Sequence, residues 1–309
     1  MEESACNMCV SPIVLRRAPT PAHPTGLVSV PCGKCYECLK RRRENWAQRL
    51  YSEMDSHLYS CWITLTYDDE HIGPLYVSEA NDFTLCKKDL QDFIKRLRIT
   101  IDRHPRRYMR DGNSVDVRYF AAGEYGEKFG RPHYHVILFG ISPYNCDVYK
   151  LLRDTWEFGL PHIDELSLAS IRYTCKYLLK SSADSARAFL EPPFNLQSRR
   201  PPIGWQFIEK ERRRLSSKST DEQLKTSYFH YYGGQKAAYC RYYSDKLFLK
   251  DDPIKSVRRK HIERAGDKKE QEWLLRHAAA SDAAFRNKFE AQKAASAKLS
   301  KFREGSLFR

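Results

Sequence analysis

Two histidines stand one residue apart in RPHYHVILFG (Arg131 to Gly140), at the head of an apolar run. On an extended chain residues i and i+2 share a face, so His133 and His135 project together while Tyr134, Val136 and Leu138 face the other way. Two convergent imidazoles on a rigid strand are half of a metal site. An isolated HxH is more often a polar pair at a strand edge, so its meaning depends on the rest of the chain.

A second group with chemical potential lies in SLASIRYTCKYLLKSS (Ser167 to Ser182). Wound as a helix, this segment gathers Leu168, Ile171, Cys175, Leu178 and Leu179 on one side. Tyr173, Lys176, Tyr177 and Lys180 then share the opposite side. By itself this is an amphipathic helix whose tyrosines cover a loop. Two phenols flanked by ammonium groups also suit attack on phosphate, because nearby lysines favour the phenolate. A metal held by the histidines would polarise the phosphate oxygens.

Cysteines form a third group, CxxC…CxxCxxC, made of Cys6, Cys9, Cys32, Cys35 and Cys38. Four of these five could hold a structural Zn²⁺; reduced thiols in an N-terminal element are the alternative. LKRRR (Leu39 to Arg43) follows, either a phosphate-contacting patch or a solvated helix face. Trp205, Phe207 and the tyrosines at 228, 231, 232, 239, 242 and 243 could stack single-stranded bases or fill a core. Asp68 and Asp69 suit either metal assistance or turn chemistry.

The elements that must carry these groups are legible from periodicity. Helical character starts at Tyr36, after an irregular, proline-rich stretch. Ser60 to Tyr67 and Val115 to Glu124 read as strands. Leu90, Phe93, Ile94, Leu97 and Ile101 form a helical stripe. The histidine strand follows a loop marked by Gly126, Gly130 and Pro132. A helix over 144–156, a short strand in LPHIDEL and the tyrosine helix complete the order. It predicts an α+β fold, a ferredoxin/RRM-like antiparallel sheet with helices on one face.

Four segments are expected: a Cys-rich, basic element (1–52), the catalytic core (53–190), a basic, aromatic extension packed on it (191–250), and a charged, helical or partly disordered tail (251–309). The 309 residues carry a net charge of +14, and 41% are hydrophobic. A core can form, and the charge favours a polyanionic partner. No apolar run approaches the ~20 residues of a bilayer span. The first residues, MEESACNMCV, lack a signal sequence. A soluble, cytoplasmic, nucleic-acid-facing protein without a membrane partner is expected.

Together these pieces resemble the HUH endonucleases, the rolling-circle replication initiators, with Tyr134 in the place of the hydrophobic U. WITLTYDD (Trp62 to Asp69), PHYHVILFG and YTCKYLLK (Tyr173 to Lys180) match three motifs in the family's order. The likeness is greatest to initiators of small single-stranded DNA phages, microviruses of the gokushovirus type. There PCGKCxxC, GEYG and RYYxDKLF recur with the other three, here at Pro31 to Cys38, Gly123 to Gly126 and Arg241 to Phe248. The resemblance implies Mg²⁺ or Mn²⁺ on His133, His135 and an acidic ligand, Glu124, with Glu127 as the fallback. It further implies that Tyr173 and Tyr177 cut origin DNA in turn through 5′-phosphotyrosine links. Lys176 and Lys180 would orient phosphate and stabilise developing charge. Single-stranded DNA and the origin of the viral replicative form are the implied substrates. Host polymerase, and a host helicase since no GxxxxGK[ST] occurs, are the implied partners in the bacterial cytoplasm. A transposase or relaxase of the same superfamily and a non-enzymatic, zinc-stabilised nucleic-acid binder remain alternatives.

Overall fold

The computed structural model describes residues 9, 12–19, 25–108, 117–126, 130–176, 189–219, 222–223 and 229–248. Cys6, Glu127, Tyr177, Lys180, Tyr228 and the tail after residue 250 lie outside the described residues. The described residues group into two compact units. One holds those up to Arg42 and from Lys210 onward; the other holds Arg43 to Glu209.

Along the chain, β1 (Ile13–Arg16) pairs antiparallel with β2 (Leu27–Val30), and α1 (Tyr36–Met54) follows. This ribbon falls where the sequence reads as irregular; four-residue strands leave little alternation to detect. Next come β3 (Ser60–Thr66), a small hairpin of β4 (Tyr76–Val77) and β5 (Asp82–Phe83), α2 (Lys87–Arg103) and the short α3 (Pro105–Tyr108). They are followed by β6 (Arg118–Tyr125), β7 (Pro132–Phe139), α4 (Cys146–Thr155), β8 (Pro161–Glu165), α5 (Leu168–Lys176) and β9 (Phe194–Gln197). Finally α6 (Trp205–Ser216) leads to β10 (Phe229–Tyr232), β11 (Gln235–Ala238) and a helix over Arg241–Leu247.

In the second unit, five antiparallel strands form one sheet in the order β8-β3-β7-β6-β9. On one face Cys61, Ile63 and Leu65 of β3 join Tyr134, Val136 and Leu138 of β7. Leu90, Phe93, Ile94, Leu97 and Ile101 of α2 and Val148, Leu151 and Leu152 of α4 complete that core. Each such side chain taken out of water contributes about 1.5–3 kcal/mol before the entropy of ordering it is counted. The stripe expected over α2 is the one that is buried. Asn145 caps α4, its side chain accepting from the Asp147 N–H at 3.0 Å, which satisfies one of the helix's open donors.

The expectation of helices on one face is corrected by the structure, which has helices on both. Phe120 of β6 and Ile137 and Phe139 of β7 point to the second face and are fully buried. There the Trp46 ring of α1 lies 5.1 Å from that of Phe120. The reason is visible in β7: Val136 to Phe139 is a continuous apolar run rather than an alternating one, and all four residues are buried. Such a strand needs cover on both sides.

A buried ion pair fixes α1 to the sheet, with the Arg118 guanidinium donating to Glu53. Glu53 also accepts from the Gly204 N–H at 2.6 Å. Burial alone would raise the Glu53 carboxyl; hydrogen bonds from His57, Gly204 and Arg118, with the charge of Arg118, hold it below its usual range. Removing either partner would leave an uncompensated buried charge.

Candidate functional site

The second face of the sheet is apolar at the Phe120–Phe139 end and polar at the other. Antiparallel pairing sets Glu124 directly opposite His133, and His135 directly opposite both Ala122 and Thr64. Paired residues share a face, so Glu124, His133 and His135 converge from two neighbouring strands. The Glu124 Oε1 atom lies 2.6 Å from His133 Nε2 and 2.9 Å from His135 Nε2. Glu124 and His135 are buried, and His133 is partly so. Burial alone would raise the Glu124 carboxyl, but hydrogen bonds and charge from the two imidazoles hold it below its usual range.

The outer nitrogens of both rings are engaged as well. His133 Nδ1 is 3.2 Å from the Arg131 carbonyl oxygen. That oxygen can only accept, so the bond places a proton on Nδ1 and directs the Nε2 atom to the centre. His135 Nδ1 is 3.2 Å from the Thr64 hydroxyl. Two imidazole nitrogens and one carboxylate oxygen, oriented from behind, suit a divalent cation with open positions. The donor set fits the ion that the sequence leads one to expect.

Tyr173 reaches the same place from α5. Its ring stands edge-on to His135 with centroids 5.3 Å apart, and edge-on to Trp62 at 5.9 Å. Trp62 lies flat on His135 at 5.1 Å and 9°. Its indole N–H donates to the buried Thr174 hydroxyl at 3.0 Å. Ile171, Thr174 and Cys175 are buried while Tyr173 is 43% exposed, so the phenol-bearing side of α5 is open to solvent over the sheet. Lys176 ends the described part of this helix, and Tyr177 and Lys180 follow outside it.

Trp62, Thr64 and Thr174 carry no signal as site residues, because Trp and Thr in a strand read first as β-formers. Strand pairing between β3 and β7 shows their role, and pairing cannot be read from one strand. Asp68 and Asp69 resolve into turn chemistry. Asp68 accepts from the His71 N–H at 2.9 Å and Asp69 pairs with Arg131 at 2.7 Å.

A second cluster lies in the other unit. The sulfurs of Cys9, Cys32, Cys35 and Cys38 all lie within 4.8 Å of one another. Cys35 and Cys9 Sγ are 3.8 Å apart, and Cys32 and Cys38 Sγ are 4.0 Å apart. Tetrahedral ligation with metal–sulfur bonds of about 2.3 Å puts sulfurs roughly 3.8 Å apart, so this donor set fits Zn²⁺. The β1–β2 ribbon brings Cys9 back to Cys32. Gly33, at φ +74, turns the chain so that the Lys34 and Cys35 N–H groups donate to Cys32 Sγ at 3.4 and 3.3 Å. Beyond Cys38, Lys40, Arg41 and Arg42 are exposed. Of the downstream tyrosines, Tyr232, Tyr239 and Tyr243 are buried, whereas Tyr231 is not.

Among the described residues, no helix is long and apolar enough to cross a membrane. No solved structure matches the chain. A family model for replication-associated proteins of the ORF2 type matches residues 60–182, the stretch from β3 to just beyond α5. Three curated proteins are similar to it. "Replication-associated protein ORF4" of Chlamydia phage 1 is 32% identical over 167 residues, covering 49% of this chain and 38% of that protein. "Replication-associated protein VP4" of Bdellovibrio phage phiMH2K is 29% identical, covering 73% of this chain and 69% of its own. "Replication-associated protein ORF2" of Spiroplasma virus 4 is 28% identical, covering 76% and 75%. With the sheet that carries Glu124, His133 and His135 lying inside the matched stretch, the chain is a homologue of the phage replication-associated proteins.

Proposed function

We propose that this protein initiates rolling-circle replication of a small single-stranded DNA phage as a metal-dependent HUH-type nickase and strand-joining enzyme. The supporting observation is the convergence of Glu124, His133 and His135 beneath the edge of Tyr173. These three residues hold Mg²⁺ or Mn²⁺. When bound, the cation supplies Lewis-acid polarisation of the scissile phosphate.

The chain's own residues do the rest. Thr64 and the Arg131 carbonyl orient the two imidazoles, and Trp62 holds α5 over them. The Tyr173 oxygen attacks phosphorus in line with the departing 3′-oxygen. A phosphorus–phenol bond forms, the bond to the 3′-oxygen breaks, the phenol proton passes to solvent and the 3′-oxygen takes one up. A 5′-phosphotyrosine and a 3′-hydroxyl result. Lys176 and Lys180 balance phosphate charge. Tyr177, the next tyrosine along the chain, cuts the regenerated origin after one round of host polymerase extension, and the freed 3′-hydroxyl closes the circle. A host helicase opens the replicative form, and the work takes place in the bacterial cytoplasm.

The test is incubation of the purified protein with circular single-stranded DNA carrying the phage origin and Mn²⁺. Linearised DNA with protein attached to its 5′ end is the expected product. Circles that stay closed and free of protein would overturn the reading.

The cysteine cluster is assigned a structural Zn²⁺ on Cys9, Cys32, Cys35 and Cys38. Elemental analysis of protein purified without added metal should find zinc in a ratio near one per chain. Cys32→Ser with Cys35→Ser should remove it and unfold the N-terminal element, as structural zinc sites contribute folding energy outright. A zinc-free preparation with an intact fold contradicts the assignment.

A further inference from the structure

The β10–β11 hairpin has two unlike faces. Pairing runs Phe229 to Ala238, His230 to Ala237, Tyr231 to Lys236 and Tyr232 to Gln235. Gly233 and Gly234 form the two-residue turn, both at positive φ (55° and 74°), as a type I′ hairpin turn requires. His230 and Tyr232 point inward and are buried. The His230 ring stacks on Tyr239 at 5.1 Å and 12°, and stands edge-on to Tyr243 at 6.1 Å. Tyr239 donates to Glu211, which also accepts from Arg214 at 2.8 Å. The inner face is locked to its own unit.

The outer face presents Phe229, Tyr231 and Lys236 together. Tyr231 is 69% exposed. Its ring stands edge-on to Phe229 at 5.8 Å, which holds it at a fixed angle. Lys236 Nζ sits 3.6 Å from the centre of the Phe229 ring, a cation–π contact that keeps the ammonium beside the aromatic pair. A rigid, exposed aromatic plane beside a fixed positive charge has the two parts that non-specific single-strand binding uses. The plane stacks on a base and the charge meets the phosphate. With +14 on the whole chain, a polyanion suits this surface better than an apolar protein partner. An apolar partner would have to strip water from Lys236 without pairing its charge.

We infer that the outer face of this hairpin is a stacking platform for unpaired bases of single-stranded DNA, with Tyr231 as the stacking ring and Lys236 as the phosphate contact. The inference rests on the replication reading for the nature of the ligand, but on none of its chemistry. It adds a strand-holding site in a unit that carries neither Glu124 nor the two histidines.

Binding of a short oligothymidylate to the full-length protein, with an abasic strand of equal length as control, tests it. Tyr231→Ala should weaken oligothymidylate binding by roughly 5- to 150-fold, the range that one base–aromatic stack is worth. The abasic strand should bind wild type and variant alike, and Tyr231→Phe should restore the base-dependent part. The salt dependence should be the same for Tyr231→Ala and wild type, because no cation is removed, and shallower for Lys236→Gln. Wild-type affinity of Tyr231→Ala for oligothymidylate, or an equal loss on the abasic strand, overturns the platform. The nickase reading is judged separately by adduct formation. A protein that cleaves normally but ignores bases at this hairpin overturns the platform and leaves the nickase standing. One that shows the base-dependent loss and never forms an adduct supports the platform and overturns the nickase.

Discussion

Replacing His133 and His135 together with alanine is expected to abolish Mn²⁺-dependent cleavage while leaving most of the binding to DNA. The two imidazoles supply two of the three donors around Glu124, so the double variant cannot hold a catalytic cation. Loss of the Lewis acid removes several kcal/mol of transition-state stabilisation, so the rate should fall by about a thousandfold or more. Affinity for DNA rests on Lys and Arg, which the change does not touch. His135 is buried against Trp62, so folding is checked by circular dichroism, and Thr64→Val gives a milder probe. It removes the hydroxyl beside His135 Nδ1 and should weaken Mn²⁺ affinity by about 10- to 100-fold, the usual effect of losing an outer partner. Undiminished cleavage by the double variant, or by wild type in excess chelator, would falsify the metal centre.

The second large effect concerns the phenols. Tyr173→Phe deletes one oxygen and keeps the ring that stands against His135 and Trp62, so stability should change by no more than about 0.5 kcal/mol. Initial nicking should survive in at least one of the two single variants, Tyr173→Phe and Tyr177→Phe, with the other phenol carrying the adduct. The complete cycle of cutting, extension and rejoining should need both. With both replaced, no covalent adduct should form, a loss of the whole reaction rather than a fraction of it. Proteolysis of trapped adduct and mass spectrometry of the DNA-bearing peptide decide the matter. DNA on any peptide without Tyr173 or Tyr177 would show that the helix has another role.

Much of this arrangement is legible before any coordinates. The i, i+2 spacing puts His133 and His135 on one face, and the i, i+3, i+4 pattern gives α2 and α5 their buried sides. What stays hidden depends on which strands lie side by side. Glu124 is one of two acidic residues in GEYGE, and nothing local distinguishes it from Glu127. Its opposition to His133 across β6 and β7 does that. Trp62 and Thr64 become neighbours of the histidines only because β3 lies on the other side of β7. The second helical layer could have been read from Val136 to Phe139, where the alternation stops. Among the cysteines, spacing offers five candidates, and the fold of the β1–β2 ribbon gathers Cys9, Cys32, Cys35 and Cys38.

The pairing of β6 with β7 carries one more consequence. Two of the three donors face each other across a hairpin, and the third lies two residues along the same strand. Their distances are therefore set by the spacing of strands in a sheet, a property of every backbone, and not by the segment that joins the strands. Evolution can lengthen, shorten or rewrite the connection after Gly126 to suit a new target sequence, and the chemistry stays where it is. A slip of one residue in β7 would do the opposite, turning both imidazoles into the apolar core and Tyr134 out toward the DNA. The protein is free to drift at the turn and held fast along the strand.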